Sequence, residues 1–174
     1  SKYQLGKLIL SRQSFDVDST NDDINYVLAK DLFKQSMNLG HVQAETEYGK
    51  ICMKEKKNKY GEIHTNVVES FNYLKKAVDK GDATAIALYG QYIEFGRAYT
   101  KPDPEAAIQY YKESYEKGDM TGYALLGEAL YNATGGLIKN EEDGENLIHI
   151  SFEQNNIYGI RSYAVNLVKE KEEQ

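Results

Sequence analysis

Apolar side chains along this sequence recur with the spacing of an α-helical stripe. Four segments contain a Leu or Tyr followed by glycine, at Gly6, Gly49, Gly90 and Gly127, and a fifth has Ala164 in that place. A small residue stands five positions earlier in each segment, and an apolar residue stands three positions later. Offsets of −5, −1 and +3 lie along one side of an α-helix. We therefore predict a first helix in each of the five segments.

A second periodic element lies between successive first helices. It ends at Gly40, Gly81, Gly118 and Asn155, residue types that close helices in the left-handed conformation. Small residues lie four and eleven positions before each end, and a bulky residue lies seven positions before it. The bulky residues are Phe33, Leu74, Tyr111 and Ile148. Small residues seven apart beside a bulky stripe let one helix press closely on its neighbour.

Cap residues set the expected starts of the second helices. Asn66 and Asn140 each precede acidic residues, and Asp103 precedes proline, as at helix N-termini. The segment Asn21–Asp23 is predicted to do the same after a longer loop. No strand pattern competes with these helices. The predicted helices lie near 2–12, 22–38, 42–54, 67–80, 83–95, 104–117, 120–131, 141–154 and 157–170.

The positions of the small residues define a repeat. They are separated by 43, 41, 37 and 37 residues. The sequence therefore predicts an all-α, right-handed α-α superhelix, a solenoid of about four and a half helix-turn-helix repeats in a single domain over 1–174. Its repeats are expected at about 1–41, 42–82, 83–119 and 120–156, followed by a terminal helix at 157–170. Because the pattern is already helical at the third residue, we expect a fragment of a longer protein.

Residues 85–119 resemble a known repeat family. The first half begins at Ala85 and contains a Tyr-Gly step, an aromatic residue and Gly96. The second half begins at the cap residue Asp103, continues as a helix rich in Ala and Tyr, and closes with Lys-Gly-Asp. This order resembles the Sel-one-like repeat, and residues 69–82 resemble its second half. Tetratricopeptide repeats are the competing interpretation, but their period is about 34 residues, shorter than the 37 to 43 residues seen in this chain.

The resemblance implies a protein–protein interaction scaffold or adaptor that binds a partner protein or peptide. Members of the family mostly act in signalling, in assembly of membrane-associated complexes, in endoplasmic-reticulum quality control and in bacterial interactions with hosts. One alternative is a regulatory or substrate-positioning segment of a larger enzyme or of a ubiquitin-ligase or quality-control complex. Another is a helper that binds a toxin, effector or misfolded client. Disulfide-stapled bacterial members are disfavoured, since Cys52 is the sole cysteine.

The sequence offers no pattern of catalytic, metal-binding or cofactor-binding residues. His41, His64 and His149 lack the spacing of a zinc site, and Gly135-Gly136 is not followed by a phosphate-loop ending. We therefore expect no enzyme activity, no metal and no cofactor. Cys52 falls on an apolar helical position and is predicted to be buried.

Charge and hydropathy narrow the classes of partner. The net charge of −6 argues against nucleic-acid binding. The exception is a lysine run that we place in a solvated loop, although it also fits an acidic partner: Lys54, Lys56, Lys57 and Lys59. No apolar run approaches the roughly 20 residues that span a bilayer, so membrane insertion is not expected. The cytoplasm is favoured, but glycosylation at Asn132-Ala133-Thr134 would indicate a luminal setting.

The partner is expected on the concave face formed by the first helices. Offsets −3, +1 and +4 from the small residue point away from the predicted core stripe. Tyr48, Tyr89, Tyr111 and Tyr115 are instead assigned to that stripe. The predicted partner-binding residues are Lys7, Lys50, Met53, Gln91, Glu94, Glu128, Tyr131 and Arg161. Replacing both Glu94 and Glu128 by alanine is expected to weaken binding without unfolding the chain.

Overall fold

The computed structural model describes residues 1–12, 19–53, 56–57, 63–64 and 66–172. The chain divides into two compact units, Ser1–Asp82 and Ala83–Gln174. Their boundary coincides with a predicted repeat boundary. The single repeat domain over 1–174 stays a prediction.

The first unit contains four helices in its described residues, which are α1 (Lys2–Arg12), α2 (Ser19–Met37), α3 (Val42–Met53) and α4 (Val67–Asp79). A two-stranded antiparallel hairpin, β1 (Lys56–Lys57) and β2 (Ile63–His64), lies between α3 and α4. In the described part of the second unit the helices are α5 (Ala83–Phe95), α6 (Pro104–Glu116), α7 (Met120–Asn132), α8 (Glu141–Glu153) and α9 (Ile157–Glu172). A 3₁₀ turn, Thr134–Gly136, follows α7. The all-α repeat fold is confirmed.

Two local predictions were wrong. Asn21–Asp23 does not cap α2, because that helix already begins at Ser19. The lysine run does not lie wholly in a loop, because Lys57 pairs with Ile63 and Lys56 with His64. Strands of two residues are too short to show an alternating pattern. The other residues of the lysine run, Lys54 and Lys59, lie outside the described residues.

Within each helix pair, the small residue of the first helix lies against the bulky residue of the second. A β-carbon built on Gly6 would lie 2.8 Å from Cε1 of Phe33, and one on Gly49 would lie 2.9 Å from Cγ of Leu74. In the second unit the same contact joins Gly90 to Tyr111 and Gly127 to Ile148. The bulky partners are all buried. The predicted register of the repeat is therefore confirmed in four pairs.

The four second helices close in the same way. Gly40, Gly81, Gly118 and Asn155 have φ values of 82°, 79°, 76° and 56°. In each case the next amide donates to the carbonyl five residues back, as Asp119 N does to Ser114 O at 3.2 Å. This is the Schellman arrangement, which satisfies carbonyls at the helix end. Asn155 thus serves in place of glycine, as the sequence predicts.

The predicted N-cap residues are confirmed at three of the second helices. The side chain of Asn66 accepts from Glu69 N, Asp103 from Ala106 N and Asn140 from Asp143 N. Each cap fixes the first turn by satisfying an amide that the helix itself leaves unpaired.

Candidate partner-binding face

The predicted partner-binding residues of the first unit lie on α1 and α3. Lys7 is exposed, and its Nζ lies 5.7 Å from the ring centre of Tyr3. Lys50 is half-buried, with its Nζ 3.0 Å from Glu47 Oε1 on the same helix. Met53 is half-buried at the end of α3. Their role in binding stays a prediction.

Gln91 does not lie on an exposed face, and its assignment as a surface residue was wrong. Only 8% of Gln91 is exposed, and Ala87 on the same helix is fully buried. The reason is that α5 packs against both α6 and α7. Two sides of a first helix are therefore covered, and the sequence pattern revealed only one of them.

Glu94 is held by a tyrosine of the neighbouring helix. The hydroxyl of Tyr111 donates to Glu94 Oε2 at 2.5 Å. Burial, followed by the hydrogen bond and the charge of Glu94, raises the pKa of Tyr111 above its usual range. The negative charge of Glu128 also raises this pKa, whereas Arg161 lowers it. The Tyr111 hydroxyl therefore interacts with the charges of three predicted partner-binding residues, Glu94, Glu128 and Arg161.

Glu128 connects α7 to α9. Arg161 Nη2 donates to its Oε1 at 2.8 Å and to its Oε2 at 3.1 Å. The hydroxyl of Ser162 also donates to Glu128 Oε1. A charge-assisted pair of this kind fixes the geometry of both side chains. The side chains of Glu128 and Arg161, both assigned to the predicted face, are therefore in direct contact.

The other end of this face is formed by Tyr131 and Lys169. Lys169 Nζ lies 5.3 Å from the ring centre of Tyr131 and donates to Asn132 Oδ1 at 3.1 Å. Lys169 was missed by the sequence analysis because its position, five residues beyond Ala164, is not among the offsets used for the face.

Between Arg161 and Lys169, α9 presents an apolar surface that we call the α9 strip, formed by Ala164, Val165 and Val168. Val165 is 47% exposed and Val168 is 57% exposed. A shallow groove here is lined by the strip and the two cations. In α7 the equivalents of Ala164 and Val168 are Gly127 and Tyr131, which α8 covers. Nothing in the described residues covers the α9 strip.

Cys52 is buried beside a half-buried polar cluster in the first unit, and its Sγ lies 3.6 Å from Glu69 Oε2. Burial, opposed by the charge of Lys30 and reinforced by that of Glu69, raises the thiol pKa to about 11. Although burial alone raises the pKa of Glu69, the hydrogen bond from Tyr48 and the charge of Lys30 bring it below its usual value. The thiol is therefore protonated at neutral pH, and the predicted burial of Cys52 is confirmed.

The described residues contain neither a candidate metal site nor a candidate membrane-spanning helix. No group of three or more His, Cys, Asp or Glu side chains in that part of the chain has the geometry for a metal ion. Among the helices described, none is long and apolar enough to cross a bilayer. His41 stacks on Tyr3, and His149 contacts Tyr163 edge-on. The side chain of His64 lies outside the described residues.

Comparison with known proteins identifies the repeat. Residues 59–82 and 83–119 each match the Sel1 repeat. A Sel1 repeat protein from Oxalobacter formigenes is 25% identical, with a TM-score of 0.64 over 93% of this chain. The protective antigen c5321 of uropathogenic Escherichia coli, which has an SLR fold, is 18% identical, with a TM-score of 0.56 over 91% of this chain.

This chain spans 59% of the length of the Oxalobacter protein and 31% of that of c5321. A search of curated proteins finds no match to it. Two segments that match the repeat and a shared helical-repeat fold nevertheless agree with the resemblance found in the residues. We conclude that residues 59–82 and 83–119 of this chain are Sel1 repeats.

Proposed function

We propose that this chain binds a partner protein through the α7–α9 face, which comprises Glu128, Tyr131, Arg161, Lys169 and the α9 strip. Sel1 repeats generally serve in protein–protein interaction. The observation that supports this face most directly is the α9 strip, which no described residue covers. Exposed apolar side chains are favoured binding surfaces, because covering them releases the water around them.

The chemistry of the face specifies the partner. Apolar side chains would cover Val165 and Val168. An acidic group beside them would meet the positive charge of Lys169, whose Nζ donates to the neutral amide of Asn132. Arg161 is already held by Glu128 and contributes less new binding energy. The preferred partner segment is therefore apolar, with an acidic residue at one end.

Capture of partners from extracts of the source cells tests the proposal. The double variant Val165→Ser/Val168→Ser removes the apolar surface, and both sites are exposed, so folding should be retained. Val27→Ser is the matched control, because Val27 is 67% exposed on α2 in the first unit. A protein captured by the unchanged chain and the control, but lost from the double variant, supports the face. Equal capture by all three proteins refutes it.

A further inference from the structure

A polar pocket of the first unit is lined by a buried carboxylate with one unpaired oxygen. The pocket lies where the end of α2, the start of α3 and the second half of α4 meet, and it encloses about 370 Å³. Residues 25–53 and 66–82, which form this part of the unit, are described without a gap. The lining residues are Lys34, Met37, Asn38, Glu45, Tyr73 and Lys76.

Glu45 is the carboxylate. It is only 7% exposed, and its Oε2 makes no hydrogen bond within the described part of the chain. The other oxygen, Oε1, accepts from Lys80 Nζ at 2.8 Å. Lys80 and the N-terminus of α3 therefore stabilise the negative charge. They leave Oε2 without a donor, and a buried oxygen in that state costs free energy.

Later in the chain the position of Glu45 holds an apolar or aromatic residue. Glu45 stands four residues before its helix glycine, and the equivalents in α5 and α7 are Ile86 and Tyr123. Ile86 is 1% exposed. The ring of Tyr123 packs 4.6 Å from that of Tyr115, which is the equivalent of Met37. A carboxylate and a pocket thus stand where two rings pack later in the chain.

Two lysines give the rim of the pocket a positive charge. Lys34 on α2 and Lys76 on α4 are both exposed. Lys34 Nζ lies 5.4 Å from the ring centre of Tyr48, and Lys76 Nζ lies 4.8 Å from that of Tyr73. Contact with an aromatic face holds an ammonium group in place but leaves its charge. In α6 the equivalent of Lys76 is Glu113, so the pair of lysines is not repeated there.

These groups define a ligand that carries an N–H donor beside an anion. Oε2 of Glu45 can accept the N–H, and the two lysines attract the anion and repel a cation. Asn38 has the donor and acceptor that pair with a peptide group. An acidic residue within a peptide supplies the N–H, the peptide group and the carboxylate together. Met37 and the lysines have flexible side chains, so they can move aside to admit it to Glu45.

We propose that the pocket formed by α2, α3 and α4 binds an acidic residue in an extended peptide segment of a partner protein. The main-chain N–H of that residue donates to Glu45, and its carboxylate lies between Lys34 and Lys76. This inference goes beyond the proposed function, because the α7–α9 face belongs to the second unit and this pocket to the first. The two sites can therefore be tested separately.

The probe is N-acetyl-L-aspartate N′-methylamide, which carries two peptide groups and one carboxylate. It is titrated into the isotopically labelled full chain, and backbone amide shifts are followed by NMR. We expect saturable shifts at Asn38, Glu45 and Tyr73. N-acetyl-L-asparagine N′-methylamide has nearly the same size without the charge, and it should bind about tenfold more weakly.

A double variant tests the lysines. Lys34→Gln/Lys76→Gln should lower the affinity for the aspartate probe by about tenfold and abolish its preference over the asparagine probe. Lys75→Gln/Lys112→Gln is the matched control, because it removes the same charge from exposed sites equivalent to Lys34 in α4 and α6. The control should bind both probes as the unchanged chain does.

A second variant tests the unpaired oxygen. N-acetyl-N-methyl-L-aspartate N′-methylamide lacks the N–H, and the unchanged chain should bind it about tenfold more weakly than the aspartate probe. Glu45→Ile introduces the residue of the equivalent position in α5 and should remove this discrimination. Its Tm should stay equal or rise, because a buried carboxylate is lost and half-exposed Lys80 can return to water.

Four results would overturn the pocket proposal. They are no saturable shift in the unchanged chain, unaltered affinity in the double lysine variant, equal discrimination against the N-methyl probe in Glu45→Ile, and a lowered Tm in that variant, which would assign Glu45 a structural role. Each leaves the partner-capture result intact. Conversely, equal capture by the Val165/Val168 variant with normal probe binding refutes the α9 strip alone.

Discussion

Gly90 of α5 lies directly against the ring of Tyr111 on α6. A β-carbon at Gly90 would stand 2.8 Å from Tyr111 Cε1 and 3.0 Å from the β-carbon of Tyr110. Tyr111 is buried, so its ring has little room to move aside. The absence of a side chain at Gly90 thus sets the distance between the two helices, and with it the position of the Tyr111 hydroxyl on Glu94.

The first prediction concerns this contact. Gly90→Leu should lower the free energy of unfolding by about 1–3 kcal/mol or more, because the added side chain overpacks the α5–α6 seam. Urea unfolding followed by circular dichroism measures the change.

Ala164→Leu is the matched control, since Ala164 occupies the same register position in α9 but is exposed. Its stability should change by less than about 0.5 kcal/mol. Equal stability losses in the two variants would contradict the assigned register.

A second prediction isolates backbone strain. Gly118 has φ of 76°, and a β-carbon there would meet no atom within 4 Å. Gly118→Ala should therefore destabilise the chain by about 1–2 kcal/mol through conformation alone. Gly118→Asn should cost less, because Asn155 already occupies the equivalent position at φ of 56°. Thermal unfolding ranks the three proteins, and an alanine variant as stable as the parent would refute the strain.

Local signals made the helix ends predictable. Glycines in the left-handed conformation and Asn or Asp caps act within a few residues, so the sequence shows them directly. The register was also readable, because Gly90 and Tyr111 belong to a pattern that recurs in four pairs.

Contacts from one first helix to the start of the next were not predictable in the same way. Thr84 donates to Asp119 at 2.6 Å, and Asn156 donates to Thr121 at 3.2 Å, each across 35 residues. Thr84 and Thr121 are 37 residues apart, as are Asp119 and Asn156, so this contact recurs with the repeat, but the helix pattern was read from small and apolar residues alone. Gln91 was misplaced because the side of α5 that packs on α7 is not distinguished by a continuous apolar stripe.

A third prediction replaces the expectation that Glu94 and Glu128 can be removed without structural cost. Glu94 accepts from buried Tyr111, and Glu128 accepts from Arg161 and buried Ser162. Glu94→Ala/Glu128→Ala should therefore destabilise the chain by about 1–3 kcal/mol, since both hydroxyls lose a partner. Glu113→Ala, at an exposed site on α6, is the control. Matching Tm values in the double variant and the control would show that these bonds are dispensable.

The fourth prediction concerns alkaline pH. Burial raises the pKa of Tyr48 and of Tyr111, and hydrogen bonding to Glu69 and Glu94 respectively raises it further. An unfolded tyrosine ionises near pH 10. Below that pH the contribution of each tyrosine to stability is complete. Above it, the unfolded chain loses protons that the folded chain keeps, so stability falls as the pH rises toward the folded-state pKa.

Replacing both residues, Tyr48→Phe/Tyr111→Phe, should therefore make the loss of stability between about pH 9 and 11 shallower, although the variant is less stable at pH 7. Tyr99→Phe is the control, because Tyr99 is 94% exposed. Tm values measured across this range give the slopes directly. Parallel curves for the parent, the double variant and the control would mean that neither buried hydroxyl resists ionisation, and the hydrogen bonds to Glu69 and Glu94 would then carry no pH-dependent stability.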